Sequence, residues 1–173
     1  MAKTVISIGL NDEDIDRAIK ELQQFKKAFL EKEKRLVEGL AKIGLKEASV
    51  RFTTAMYDGI NDVSVYLDGK NTRYVIVAKG KAVAFIEFGS GVYHNTGEPY
   101  PNPRPEGIVG IGGYGAGKGN RKAWFYKGDP GTNGIPQKNG VVKTRGNPAS
   151  MPMWYASEEM RRSVIQLAKE VFG

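Results

Sequence analysis

The stretch AFIEFGSGV, Ala84 to Val92, sets one carboxylate, Glu87, inside an apolar and aromatic run that closes on a Gly-Ser-Gly turn. Read with the residues before it as "AVAFIEFG", it becomes a strand, and the fold follows from that choice. Upstream, "DVSVYL" places Val63, Val65 and Leu67 on one face and Ser64 and Tyr66 on the other. "DGKN" (Asp68 to Asn71) is turn chemistry, and "TRYVIVA" returns as a second strand. "KGK" then turns into the Glu87 strand, giving a three-stranded antiparallel meander with one face available to a helix.

That helix lies further upstream. After an extended lead-in, "KTVISI" (residues 3–8), Asn11 and Asp12 offer N-caps, and Glu13, Asp14 and Asp16 suit the positive end of a helix. Ile15, Ile19, Leu22, Phe25, Phe29, Leu36, Leu40 and Ile43 recur mainly at three- and four-residue steps. The pattern reaches about residue 50, with Gly39 and Gly44 as candidate bends. An unbroken helix of ~35 residues would be ~50 Å long, so it either breaks or projects to meet a neighbour.

Downstream of the turn, residues 93–148 fill with Gly and Pro, and periodicity survives only near "GIVGI" and "KAWFY". So long a stretch without regular elements reads as an arm with a function of its own. The chain closes on a second helix over residues 149–173: Ser150 is the candidate cap, Pro152 suits the first turn, and Met153, Ala156, Met160, Val164, Leu167 and Val171 form its stripe. The expectation is one α+β domain in three parts: helix plus meander (1–92), basic arm (93–148) and closing helix (149–173).

Composition narrows the chemistry. The 173 residues contain no cysteine and one histidine, His94, which argues against disulfides, thiolate metal sites and a Ser-His-Asp triad. No run of about 18 apolar residues offers a membrane span, and the start lacks the apolar segment of a signal peptide. Net charge is +7, and Lys118, Arg121, Lys122, Lys127, Lys138, Lys143 and Arg145 face Asp129 alone across the later part of the arm. A solvated loop and a DNA-facing surface, with Lys118, Arg121, Lys122 and Lys127 in front, both fit that excess.

Two phosphate-binding spellings fail on context. Gly112, Gly117 and Lys118 approximate a P-loop, but Gly119 stands where a Ser or Thr would hold Mg²⁺, and no helix follows to bind the anion. Gly110, Gly112 and Gly115 spell GxGxxG with the same defect. The acidic "NDEDID" (Asn11 to Asp16) lacks the Gly and distal Glu of a calcium loop. No cofactor and no metal are expected. Glu87 lacks a nearby carboxylate partner in sequence for acid–base work, and the competing reading is structural: it accepts backbone N–H bonds or pairs with an arginine such as Arg145 or Arg161, within the chain or across a subunit boundary.

"VIVAKGKAVAFIEFGSGV" resembles a recurrent signature of tailed-bacteriophage head–tail joining proteins, the small neck or tail-completion proteins also called minor capsid proteins. The aromatic-aliphatic-Glu-Phe-Gly-Ser-Gly pattern falls on Phe85, Ile86, Glu87, Phe88, Gly89, Ser90 and Gly91. The aromatic-proline segment that opens the family's closing helix falls on "TRGNPASMPMWYASEEMRRSVIQLAKEVF", with Pro148, Pro152, Met153 and Ala156 in the family's Pro and small or apolar places. "ASVRFTTAMYDG" stands where the family has a short Pro-and-Gly segment, and the basic loop is long for the family. The resemblance implies a non-enzymatic homo-oligomeric ring, commonly six-fold, in the virion neck and assembled in the host cytoplasm. Its partners would be the connector on the portal side and tail-terminator or tail-tube proteins, with double-stranded DNA passing non-specifically through the ring. Phe85, Glu87, Phe88, Gly89, Ser90, Gly91, Trp124, Pro152 and Trp154 are the assembly residues it implies. A nucleic-acid-binding module using the basic Gly-rich loop is the alternative.

Overall fold

The computed structural model describes residues 9, 11–70, 72–91, 93–94 and 121–173. The expected lead-in strand at 3–8, the "GIVGI" piece, the phosphate-loop spellings and Lys118 lie outside the described residues. The architecture is α+β. Helix α1 (Asp12–Thr54) runs 43 residues without interruption, about 64 Å at 1.5 Å per residue. Asn11 caps it, accepting the Asp14 N–H at 2.8 Å, and Asp12, Glu13 and Asp14 occupy its first turn.

The expected bends are absent. Gly39 and Gly44 are close-approach points instead: an added Cβ would come within 2.7 Å of Leu167 Cδ2 at the first and 2.6 Å of Ile76 Cδ1 at the second. The missing side chains let α3 (Pro152–Phe172) and the first hairpin lie against α1. Met160 sits by Gly44, Leu167 by Gly39, and the Phe172 ring is 5.6 Å from that of Phe29. α3 therefore runs antiparallel to α1.

Strands β1 (Ser64–Lys70) and β2 (Arg73–Lys79) form the expected hairpin, with Leu67 opposite Ile76. Val65 and Leu67 are partly buried while Ser64 and Tyr66 are exposed, as the alternation predicts. The third strand of the meander is not there. Residues Val83–Phe88 form a short helix, α2. A strand would send Ile86 and Glu87 to opposite faces. In a helix, Ala82, Val83, Ile86 and Glu87 make one contiguous inward arc, and Ala82, Ile86 and Glu87 are buried. Ala82 and Ile86 join Phe52 at the centre of the core, surrounded by Ala55, Tyr57, Val63, Val65, Ala78, Val83 and Met153. Fully burying Phe52 or Ile86 contributes about 2–3 kcal/mol each.

The second half of the arm, read as irregular apart from the piece near Trp124, Phe125 and Tyr126, contains a small sheet. Strands β3 (Trp124–Lys127), β4 (Ile135–Pro136) and β5 (Val141–Thr144) form an antiparallel sheet in the order β3-β5-β4. Its strands are only two to four residues long, so that only β3, at "KAWFY", left a trace in the sequence. Trp124, Tyr126, Val142 and Thr144 point inward. Among the described residues, no helix is long and apolar enough to cross a membrane.

Candidate functional site

The chemistry of the molecule gathers where α2 ends and α3 begins. Asp62 starts the sequence of contacts: its carboxylate accepts the Lys81 and Ala82 N–H groups at 2.9 and 3.0 Å, satisfying donors at the entry to α2. These two backbone bonds hold the Asp62 carboxyl below the usual aspartate range. At the other end, Gly89 with φ 73° stops α2, the left-handed position for which glycine is suited.

Glu87 is 4% exposed. Its carboxylate accepts the N–H of Met153 at 2.9 Å and of Trp154 at 3.2 Å. Pro152, the first residue of α3, has no N–H to satisfy. Glu87 is thus a cap supplied from a distant element, with a negative charge at the positive end of a 21-residue helix. Of the two structural arrangements expected for Glu87, backbone acceptance is present. Arg145 instead donates to the Tyr93 hydroxyl at 2.6 Å, and Arg161 to Glu158.

Ser150 does not cap α3, contrary to the sequence reading. The residue at the helix boundary is Met151, at φ 50° and ψ 46°, with no side-chain cap bond. A non-glycine residue in that region costs about 1–2 kcal/mol. Ser150 donates its N–H to the Ile86 carbonyl at 2.9 Å, so Met151 is held between two anchors, one at Ile86 and one at Glu87.

The strap before Ser150 grips the Gly-Ser-Gly turn. Ser90 and Asn147 exchange backbone bonds at 2.9 and 3.1 Å. Asn147, 2% exposed, is a hub: its amide donates to the Asp58 carboxylate and to Ser90 Oγ, and its Oδ1 accepts the Asp58 N–H at 2.8 Å and Asn133 Nδ2 at 3.2 Å. Gly146 makes the approach possible, since a Cβ there would lie 1.9 Å from the Ser90 carbonyl oxygen. Tyr126 closes the cluster, its hydroxyl reaching the carbonyls of Asp58 and Asp129 at 2.9 and 2.8 Å. Burial first, then the Asp58 and Asp129 carboxylates, push its phenol up to about 12.

Most residues implied by the resemblance meet here. Phe85 packs on Tyr57 with ring centroids 6.4 Å apart. Pro152 is buried, and Trp154 stacks edge-on to Tyr155. A Cβ on Gly91 would lie 3.0 Å from Trp124 Cζ3 and 3.1 Å from the Arg145 carbonyl oxygen. Phe88 is half-buried at the end of α2. Arg121, Lys122 and Lys127 are exposed. Sequence reasoning missed Asp58, Asp62, Tyr126, Asn133 and Asn147. The Gly-Asn-Pro triplet at 146–148 was the available signal, because a residue before proline is held extended and glycine permits close approach.

A cleft of 370 Å³ between α1, β2 and α3 is lined by Val37, Leu40, Tyr74, Ile76, Met153 and Met160 among others; it presents no carboxylate, lysine or imidazole. Among the described residues, no group of His, Asp or Glu is arranged to hold a metal ion. What the capping junction does chemically is fix geometry. No family model, no curated protein and no solved structure matches this chain.

Proposed function

We propose that this chain is a structural, non-enzymatic virion subunit of the head–tail neck or tail-completion ring of a tailed bacteriophage. It would join the connector on the portal side to the tail while DNA passes through. The observation that carries the reading is the Glu87 cap. The two stretches that bear the resemblance, residues 75–92 and 144–172, are joined by the bonds from Met153 and Trp154 to Glu87 and by the Ser90–Asn147 pair. The signature glutamate therefore has a physical reason to occur together with the aromatic-proline segment. The length of α1 beyond its contact with α3 and the strand edges left unpaired among the described residues are the surfaces from which head-to-tail contacts that close a ring would be built.

Negative-stain electron microscopy of the purified protein, across a concentration series and with extracted tails, tests the proposal. Closed rings, free or seated on tail ends, are expected. Particles that stay monomeric and ignore tails would overturn it.

A second reading has one specific observation in its favour. On the outer face of the second sheet, Phe125, 62% exposed, sits in register with Lys143, which is in register with Ile135; exposed Lys127 shares that face. An aromatic flanked by cations is a stacking platform for single-stranded nucleic acid. This reading requires micromolar or tighter binding that falls steeply with salt and is lost in Phe125→Ala. The ring reading requires only weak binding with no sequence preference.

A further inference from the structure

We propose that the folded chain cuts its own backbone between Asp129 and Pro130, with the Tyr126 hydroxyl stabilising the charge that develops on the scissile carbonyl. Of the seven aspartates, Asp129 alone precedes a proline. Where the next residue carries an N–H, as at Asp58–Gly59 and Asp68–Gly69, that nitrogen can attack the aspartate side chain and close a succinimide. Pro130 has no N–H. The route left to the Asp129 carboxyl is attack on its own main-chain carbonyl, which closes a five-membered anhydride.

The turn that carries this bond is fixed on both sides. Asp129 Oδ1 accepts the Gly131 N–H at 2.7 Å, which turns the carboxyl toward the chain that follows it. Gly128 folds the backbone over the Tyr126 ring, where a Cβ would lie 3.2 Å from Cε2. The Tyr126 hydroxyl thereby reaches the Asp129 carbonyl oxygen at 2.8 Å. Beyond the bond, Gly131 lies so close to residues 57–59 that a Cβ there would collide with the Tyr57 and Gly59 carbonyl oxygens. Thr132 donates its N–H to the same Tyr57 oxygen at 2.9 Å. A peptide held in this way keeps the attacking group beside its target, an ordering that a flexible chain must regain at each attempt.

In the step itself, an oxygen of the Asp129 carboxyl group bonds to the main-chain carbonyl carbon, and the carbonyl oxygen takes on negative charge. The C–N bond to Pro130 then breaks. Its electron pair stays on the proline nitrogen, which receives the proton that the carboxyl gave up. Water opens the anhydride and leaves two carboxyl groups on Asp129, whose exposure admits that water. The Tyr126 hydroxyl has one proton for two carbonyls, those of Asp58 and Asp129. As charge builds on the Asp129 oxygen it becomes the stronger acceptor, so this bond tightens in the transition state rather than in the ground state. The cut leaves β3 on one fragment and β4 and β5 on the other, with β3 paired to β5 across the break. The reaction occurs once per molecule, and it stands or falls separately from the ring reading.

Intact-mass spectrometry of the full chain tests it. The chain is incubated in the most acidic buffer in which circular dichroism shows it folded, beside the same chain unfolded by urea at that pH. Two products are expected, one ending at Asp129 and one beginning at Pro130, with masses that sum to the chain plus one water. They should form at least about tenfold faster from the folded chain. Tyr126→Phe should slow the folded reaction about tenfold, the worth of one hydrogen bond to the developing oxyanion, and Pro130→Ala should abolish it. The comparison of folded with unfolded wild type needs no substitution, so it decides the matter even where Tyr126→Phe fails to fold. No cleavage, cleavage as fast in the unfolded chain, or a folded Tyr126→Phe variant that cleaves at the wild-type rate would each overturn the proposal.

Discussion

Replacing Glu87 by alanine isolates the contact on which the junction depends. The substitution removes both acceptors for the Met153 and Trp154 N–H groups, and the site is too enclosed for water to take over fully. Loss of an N-cap costs about 1 kcal/mol, and a buried donor left unsatisfied costs about 1–3 kcal/mol. Removing the negative charge from the helix N-terminus adds up to ~1 kcal/mol. A total near 3 kcal/mol is expected for Glu87→Ala, and about half that for Glu87→Gln, which keeps one carbonyl oxygen. With a urea dependence of about 2 kcal/mol per molar, the unfolding midpoint should fall by about 1.5 M for alanine. Trp154 sits in the first turn of α3, so its fluorescence reports the same event locally. A midpoint shift below about 0.3 M for Glu87→Ala would refute the capping argument, and particle yield unaffected by the substitution would sink its link to assembly.

Three further outcomes follow from other contacts. Gly146→Ala would put a methyl group into the Ser90 carbonyl at a position with φ 89°; a loss above about 3 kcal/mol is expected, about 10 °C in Tm by calorimetry, and a melt within a few degrees of wild type would contradict the close approach. Tyr126 binds its proton more tightly folded than unfolded, so its contribution to stability is full below the ordinary tyrosine value and is lost as pH rises toward about 12; Tyr126→Phe should flatten stability over that alkaline window, and a spectrophotometric titration should lose one late-ionising tyrosine. Asp62 is the opposite case: its carboxyl is held low by the Lys81 and Ala82 N–H groups, so its contribution is present above the ordinary aspartate value and disappears as pH falls through its lowered one. Asp62→Asn should therefore blunt acid unfolding, and an unchanged acid limb in circular dichroism would count against the cap.

Long elements were legible in the sequence for a simple reason. α1, α3 and the β1–β2 hairpin each repeat their pattern over enough residues for the period to show, and Asn11 announced the first helix by its chemistry. The segment 83–88 was not legible, because five apolar residues and one glutamate satisfy strand and helix alike. What decides between them is remote: Asp62 feeds the entry to α2, and the N–H groups of Met153 and Trp154 require Glu87 on the inward arc. The sheet at 124–144 was hidden by strand length and by its dependence on Asp58, Asn133 and Asn147, residues whose side chains do their work across 14 to 89 positions of sequence. Local patterns cannot carry such bonds. Glu87 itself was legible as an anomaly, though its helix was not.

The Gly91 turn has a consequence for how the chain can vary. The backbone at Gly91 lies against the Arg121 carbonyl, which a Cβ would approach to 3.3 Å, so the body leaves and resumes the chain at nearly the same point. Whatever lies between is an insertion in the topological sense. The entropic cost of closing such a loop grows only with the logarithm of its length, so residues can be added or removed there with little effect on the capping junction. The clamp between Ser90 and Asn147 therefore keeps the two ends in place whatever the length of chain between them.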